Sequence, residues 1–164
     1  MIQYGSDLPG DVPAARDLFR QYAASIGIDL SFQGFDEELA SLPGKYAAPS
    51  GALIVARVDG APMGCVALRR IDERTCEMKR LFVRPEGRGL KIGAELVRRI
   101  IEAAEARGYE AMRLDTLRVI MQAAISLYQG FGFQDIEPYI YNPLPGARFM
   151  EKKLQPRSAP RPRP

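Results

Sequence analysis

The chain has 164 residues, 46% hydrophobic and 26% charged, with a formal charge of +3; that suits one globular domain with a proper core and excludes a disordered chain. Two cysteines, Cys65 and Cys76, exclude a disulfide framework or a four-thiolate zinc site, and the lack of any histidine removes Ser-His-Asp, Cys-His and imidazole-metal chemistry together. The positive excess is carried by Arg157, Arg161 and Arg163 in the terminal segment, so the rest is about neutral and no nucleic-acid partner is expected.

No run of ~18 apolar residues appears. The opening "MIQYGSDLPGDVPAARD" lacks a basic-then-apolar signal pattern, so a cytoplasmic protein with no membrane partner is expected. Both cysteines read as small buried apolar residues. Acid-base chemistry falls to Asp, Glu, Tyr, Lys or Cys.

In chain order, Val12, Ala15, Leu18, Phe19, Tyr22 and Ile26 recur at helical spacing, with Asp11 as N-cap and Gly27 as stop. "FDEELASLPG" is a shorter helix ending before Pro43. Ala52 to Val58, the turn Asp59-Gly60 and Met63 to Ile71 form a hairpin, and a turn at Asp72-Glu73 leads to a third antiparallel strand, Thr75 to Val83. The period then changes: Ile92, Leu96, Val97, Ile100, Ile101 and Ala104 mark a helix ended by Gly108. "AMRLDTL" is a short buried strand, "MQAAISLYQGF" a helix and "ARFMEKKL" a closing strand. This order predicts a mixed α/β sheet with helices on both faces, one domain over 1–154. Residues 155–164, "QPRSAPRPRP", are expected to be a disordered Pro/Arg-rich tail.

Between the third strand and the long helix lies "VRPEGRGLKIGAELV", Val83 to Val97. A strand, a glycine-rich turn and a helix start make a generic anion site, because first-turn amides have no partner within the helix and the macrodipole adds about half a positive charge. A dinucleotide fingerprint from Gly87 and Gly89 would need glycine where Ile92 stands, and a Walker A loop needs a Gly-Lys-Ser/Thr triplet that the chain lacks. The local alternative is that the glycines only let the chain turn tightly.

Set after "MKRLFVRP", the stretch "RGLKIGAELV" resembles motif A of the GNAT superfamily, the acyl-CoA-dependent N-acyltransferases: Arg or Gln, two residues, Gly, one residue, then Gly or Ala. Arg88 and Gly93 match, and Lys91 replaces the middle glycine. Downstream, Ala124, Leu127, Tyr128, Gly132 and Phe133 of "AAISLYQGFGF" match the second motif, A-x-x-L-Y-x-x-x-G-F. The resemblance is specific from Glu77 to Phe133, diffuse from Ala52 to Leu154, and points to a small bacterial-type member.

That resemblance implies a mostly antiparallel sheet with a V-shaped splay between the family's fourth and fifth strands, here Thr75 to Val83 and "AMRLDTL". Acetyl-CoA is the implied co-substrate, with no metal. Its pantetheine arm would lie along Leu81, Phe82 and Val83, and its pyrophosphate on the amides of Arg88, Gly89, Leu90, Lys91, Ile92, Gly93 and Ala94. A lysine at position 91 keeps its N–H, adds a cation and loses freedom of φ. The equivalent of Tyr128 protonates the departing thiolate, and an asparagine common seven residues earlier is Met121 here.

Transfer to an amine needs the neutral nucleophile, about one molecule in a thousand near pH 7 for a group of pKa about 10.4. The resemblance makes Glu77 the first candidate base and Asp115, in "RLDT", the second; each could instead pair with neighbouring arginines. Tyr22, Phe32, Phe35, Tyr139, Tyr141 and Asn142 are candidates to line the acceptor end, and Arg80 to bind a substrate carboxylate. The expected partner is a small-molecule amine. The family's frequent dimers make a homodimer one implied arrangement. Two alternatives stand beside an N-acetyltransferase: a catalytically silent CoA-binding regulatory module, and a basic-tailed nucleic-acid binder.

Overall fold

The computed structural model describes residues 1–6, 10–27, 29–117 and 122–157, except for the side chain of Phe32. Its strands are β1 (Ile2–Gly5), β2 (Ala52–Val58), β3 (Ala61–Arg70), β4 (Thr75–Val83), β5 (Ala111–Leu117), β6 (Gln134–Asp135) and β7 (Ala147–Lys153). Its helices are α1 (Asp11–Ile26), α2 (Phe35–Ser41), α3 (Ile92–Ala106) and α4 (Gln122–Gly130). The seven strands form one sheet in the order β1-β2-β3-β4-β5-β7-β6, antiparallel except for the central pair β4 and β5. A mixed, mostly antiparallel sheet with helices on both faces is therefore what forms.

Strand alternation divides the core. Ile54, Val66, Leu68 and Met78 point to one face and pack with Leu96 and Ile100 of α3 and with Tyr128 of α4. Leu53, Val55, Cys65 and Ala67 point to the other and pack with Ala15, Leu18 and Phe19 of α1 and with Tyr46. Cys65 and Cys76 are both free and completely buried, and burial pushes both thiols up, Cys76 to about 12. Among the described residues no helix is long and apolar enough to cross a membrane.

The structure corrects the sequence reading in several places. Asp11 is not an N-cap: Gly10, at φ 88°, takes that position, and Asp11 is turned inward to an ion pair with Arg57 at 2.6 Å. A partner on β2 outcompetes the local cap. Gly27 does end α1 in the left-handed conformation. The strand read as Met63 to Ile71 runs from Ala61 to Arg70, and tolerates Pro62 because the β2–β3 register shifts at Ala56/Arg57. Strands β1 and β6 were not foreseen as such; β1 exists through its pairing with β2, from Ile2↔Val58 to Gly5↔Val55. At the tail, the Gln155 amide donates to Glu105 Oε2 at 2.7 Å and the Arg157 amide to the Glu105 carbonyl at 2.9 Å, while residues 158–164 of that expected segment lie outside the described ones.

Candidate active site

The parallel pairing of β4 with β5 covers only Thr75↔Ala111, Cys76↔Met112 and Glu77↔Arg113. Beyond it the strands part: Leu114 to Leu117 pair only with β7, and β4 keeps only its β3 partner. The cause is local. Register on β4 slips between Cys65↔Phe82 and Ala67↔Lys79, and Arg80 within the slip has φ +61°. A bulge of this kind bends the strand and raises its twist. The resulting V-shaped gap is a cleft of about 410 Å³, walled by β4, β5, α1, α4, the start of α3 and Asn142 with Leu144.

At one end the cleft meets the N-terminus of α3. Lys91 precedes it at φ 58°, in the left-handed region that glycine adopts most freely. Two of the seven amides anticipated as a cradle turn inward: Arg88 N–H donates to Pro85 and Leu90 N–H to Gly87. The amides of Gly89, Lys91, Ile92, Gly93 and Ala94 donate to no acceptor among the described residues. They form a compact set of donors at a helix start, suited to an anion. Gly93 and Arg88 line the cleft beside Leu81, Phe82 and Val83. A Cβ built on Gly93 would meet only Leu127 and Val83, each at 3.8 Å. The bare Cα therefore serves the cleft and not the packing.

Farther in, Tyr128 lies 7% exposed on α4, its ring 5.8 Å from that of Phe133, and lines the cleft. Burial, and then the neighbouring Tyr22 and Asp115, push its phenol well above the usual range. Asp115 lines the cleft from β5, accepts from Asn142 Nδ2 at 3.1 Å, and is the only carboxylate among the described lining residues. Tyr22 of α1 closes the same end, edge-on to Phe82 at 6.3 Å. Phe35 lies beneath Arg80, 5.1 Å from it, and is not part of the wall. Met121 lies outside the described residues.

The other candidates are placed differently from expectation. Glu77 is wholly buried and absent from the lining: Oε1 takes Arg69 at 2.7 Å and Oε2 the Tyr139 hydroxyl at 2.6 Å. Burial pushes its carboxyl up, but the charges of Lys79 and Arg69 and the Tyr139 hydrogen bond outweigh that and hold it below the ordinary range. Tyr139 is thus half-buried against Glu77 and Phe149, and Tyr141 is 74% exposed; neither lines the cleft. Arg80 does line it, yet the carboxylate it binds belongs to the chain itself: Glu38 accepts from Nε at 2.8 Å and from Nη2 at 3.1 Å, and Gln33 from Nη1 at 2.8 Å.

Sequence reasoning passed over Lys79 and Gln33, which also line the cleft. Lys79 is one strand alternation beyond Glu77, a spacing that puts both on one face, and this was the available signal. Gln33 precedes α2 in a short turn whose position only the tertiary fold reveals.

Residues 15–133 match the family described as Acetyltransferase (GNAT) family. The chain is 44% identical over 149 residues to an uncharacterised N-acetyltransferase of Schizosaccharomyces pombe, covering 90% of this chain and 91% of that one. Among solved structures it resembles an acetyltransferase from Streptococcus agalactiae (TM-score 0.77, 23% identity, 93% of this chain and 98% of the other). It also resembles a GNAT family acetyltransferase from Elizabethkingia anophelis with acetyl-CoA bound (TM-score 0.67, 22% identity, 93% and 98%).

Proposed function

The chain belongs to the GNAT acetyltransferase family and is an acyl-CoA-dependent N-acyltransferase, and we propose that it moves the acetyl group of acetyl-CoA to the primary amine of a small metabolite, with Tyr128 as general acid and Asp115 as the carboxylate that receives the amine's proton. The observation that carries this reading is one cleft that meets the open amides of the α3 start at Gly93 and has Tyr128 and Asp115 farther in. Acetyl-CoA, when bound, supplies an acyl group activated as a thioester.

The chain's residues divide the remaining work. Gly89, Lys91, Ile92, Gly93 and Ala94 offer amides to the pyrophosphate, assisted by the helix dipole, and the edge of β4 that β5 leaves unpaired offers backbone groups to the pantetheine. Asp115 draws the acceptor's ammonium into the cleft; the ammonium gives one proton to solvent to free its lone pair, and Asp115 takes the second, which the nitrogen sheds as it bonds to the acyl carbon. Tyr128 gives its hydroxyl proton to the sulfur as the carbon–sulfur bond breaks, so one proton enters and one leaves. A phenol held protonated by burial suits that part. Glu77, committed on both oxygens, serves instead as a positioning residue for Arg69 and Tyr139. The catalytic domain is residues 1–154.

Steady thiol release from acetyl-CoA with a panel of small amines tests the reading. Tyr128→Phe should lower kcat about a hundredfold or more, with the KM for acetyl-CoA little changed. Undiminished turnover in that variant would remove the acid from Tyr128.

A further inference from the structure

Most charges on the α1 and α2 face of the cleft are already matched. Glu38 neutralises Arg80 through two short bonds, and Glu77 binds Arg69. Lys79 is different. Its side chain is 6% exposed and lines the cleft, yet its nearest acceptors among the described residues are Gln33 Oε1 at 3.4 Å and Glu77 Oε1 at 3.7 Å. Both are longer than the ~2.8 Å of a good charge-assisted bond. A buried ammonium held only by two partners at these lengths is loosely paired, and an anion arriving beside it in the cleft would make a closer pair.

Opposite stands Asp115. Glu77 and Arg113 are the last paired residues of the parallel register. Lys79 and Asp115 are each two residues farther on, so they project to the same face from the two arms of the V. One cation and one carboxylate thus face each other across the acceptor end of the cleft.

We infer that the acceptor is a zwitterion, an α-amino acid or close analogue, with its carboxylate held by Lys79 and its ammonium drawn to Asp115. This rests on the small-amine reading above and narrows it. A plain amine would satisfy Asp115 but bring no anion to Lys79. A residue within a peptide chain has no free α-carboxylate to offer. Arg80 cannot take the part, because Glu38 already occupies its fork.

Thiol release is measured at saturating acetyl-CoA for the amino acids, each beside its α-amide and its decarboxylated amine. The preferred amino acid should exceed its amide in kcat/KM by about tenfold to a hundredfold. Lys79→Met should bring that ratio near one, chiefly through KM for the acid, and Lys79→Arg should restore part of it. The N-acetylated acid, titrated calorimetrically into enzyme with CoA, should lose affinity in Lys79→Met by a similar factor. Wild-type enzyme that uses the amide or the decarboxylated amine as well as the acid would overturn the inference and leave the small-amine reading standing. So would a Lys79→Met enzyme slowed alike on acid and amide. Absence of thiol release with every small amine would overturn both.

Discussion

Lys91 and Gly93 lie two residues apart at the start of α3 and answer different demands. Lys91 holds φ 58°, a conformation that costs an L-residue about 1–2 kcal/mol and that the turn nevertheless imposes on it. Gly93 has no such need, being helical with no close neighbour for a Cβ. Gly93→Ala should therefore raise stability by a fraction of the ~1 kcal/mol that alanine gains over glycine in a helix interior, since Gly93 lies in the first turn. The same methyl would stand in the cleft and weaken acetyl-CoA binding about tenfold or more. Thermal unfolding and calorimetric titration read the two effects separately; unaltered affinity would mean that acetyl-CoA does not run past Gly93. Motif spacing identified this turn and Tyr128 from the sequence. That two of its amides are consumed by Pro85 and Gly87 carbonyls depends on the short 3₁₀ turn Pro85–Gly87, which no periodicity announces.

Strand β4 and helix α2 act as a unit, although they are far apart in the chain. The bulge at Arg80 opens the V, and the buried guanidinium is held by Glu38 of α2, 42 residues earlier in the chain. Arg80 and Glu38 side chains are 2% and 3% exposed, so loss of one partner leaves an uncompensated charge in the interior. Glu38→Gln should cost about 3–5 kcal/mol in urea unfolding, and the apolar double variant Glu38→Leu with Arg80→Met markedly less. Equal losses in the two would show that the bulge needs the pair for its shape rather than for its charge balance. Helix α2 was legible as a short helix, and β4 as the third strand of an antiparallel series. Their connection was not, because an ion pair leaves no periodic trace in either segment. Strand β1 escaped notice for a related reason: four residues of mixed burial become a strand through ladder hydrogen bonds to β2.

Across the whole molecule, the buried carboxylates of Glu38 and Glu77 tie the two arms of the fold to its centre, and both are held below their ordinary value of 4.5 despite the opposing effect of burial. A carboxyl depressed in the folded state stabilises it above the unfolded value and loses that contribution as pH falls through the folded one. Stability should thus be nearly level around neutrality and drop below about pH 4.5, seen as a falling urea midpoint, with a shallower drop in Glu77→Gln. A midpoint that rises on acidification would contradict the depressed values. The sequence alone determined the order of the longer elements, the parallel pair implied by the resemblance, the glycine-rich turn before α3 and the position of Tyr128 on α4, since near-neighbour periodicity and motif spacing are properties of the chain itself. It also brought forward Glu77 and Arg80, two groups with the right chemistry. Only the folded arrangement revealed that Glu77 is bound to Arg69 and Tyr139 and Arg80 to Glu38 and Gln33, while Lys79 and Asp115 face the open cleft, because the pairing of charges is decided by distance through space and not along the chain.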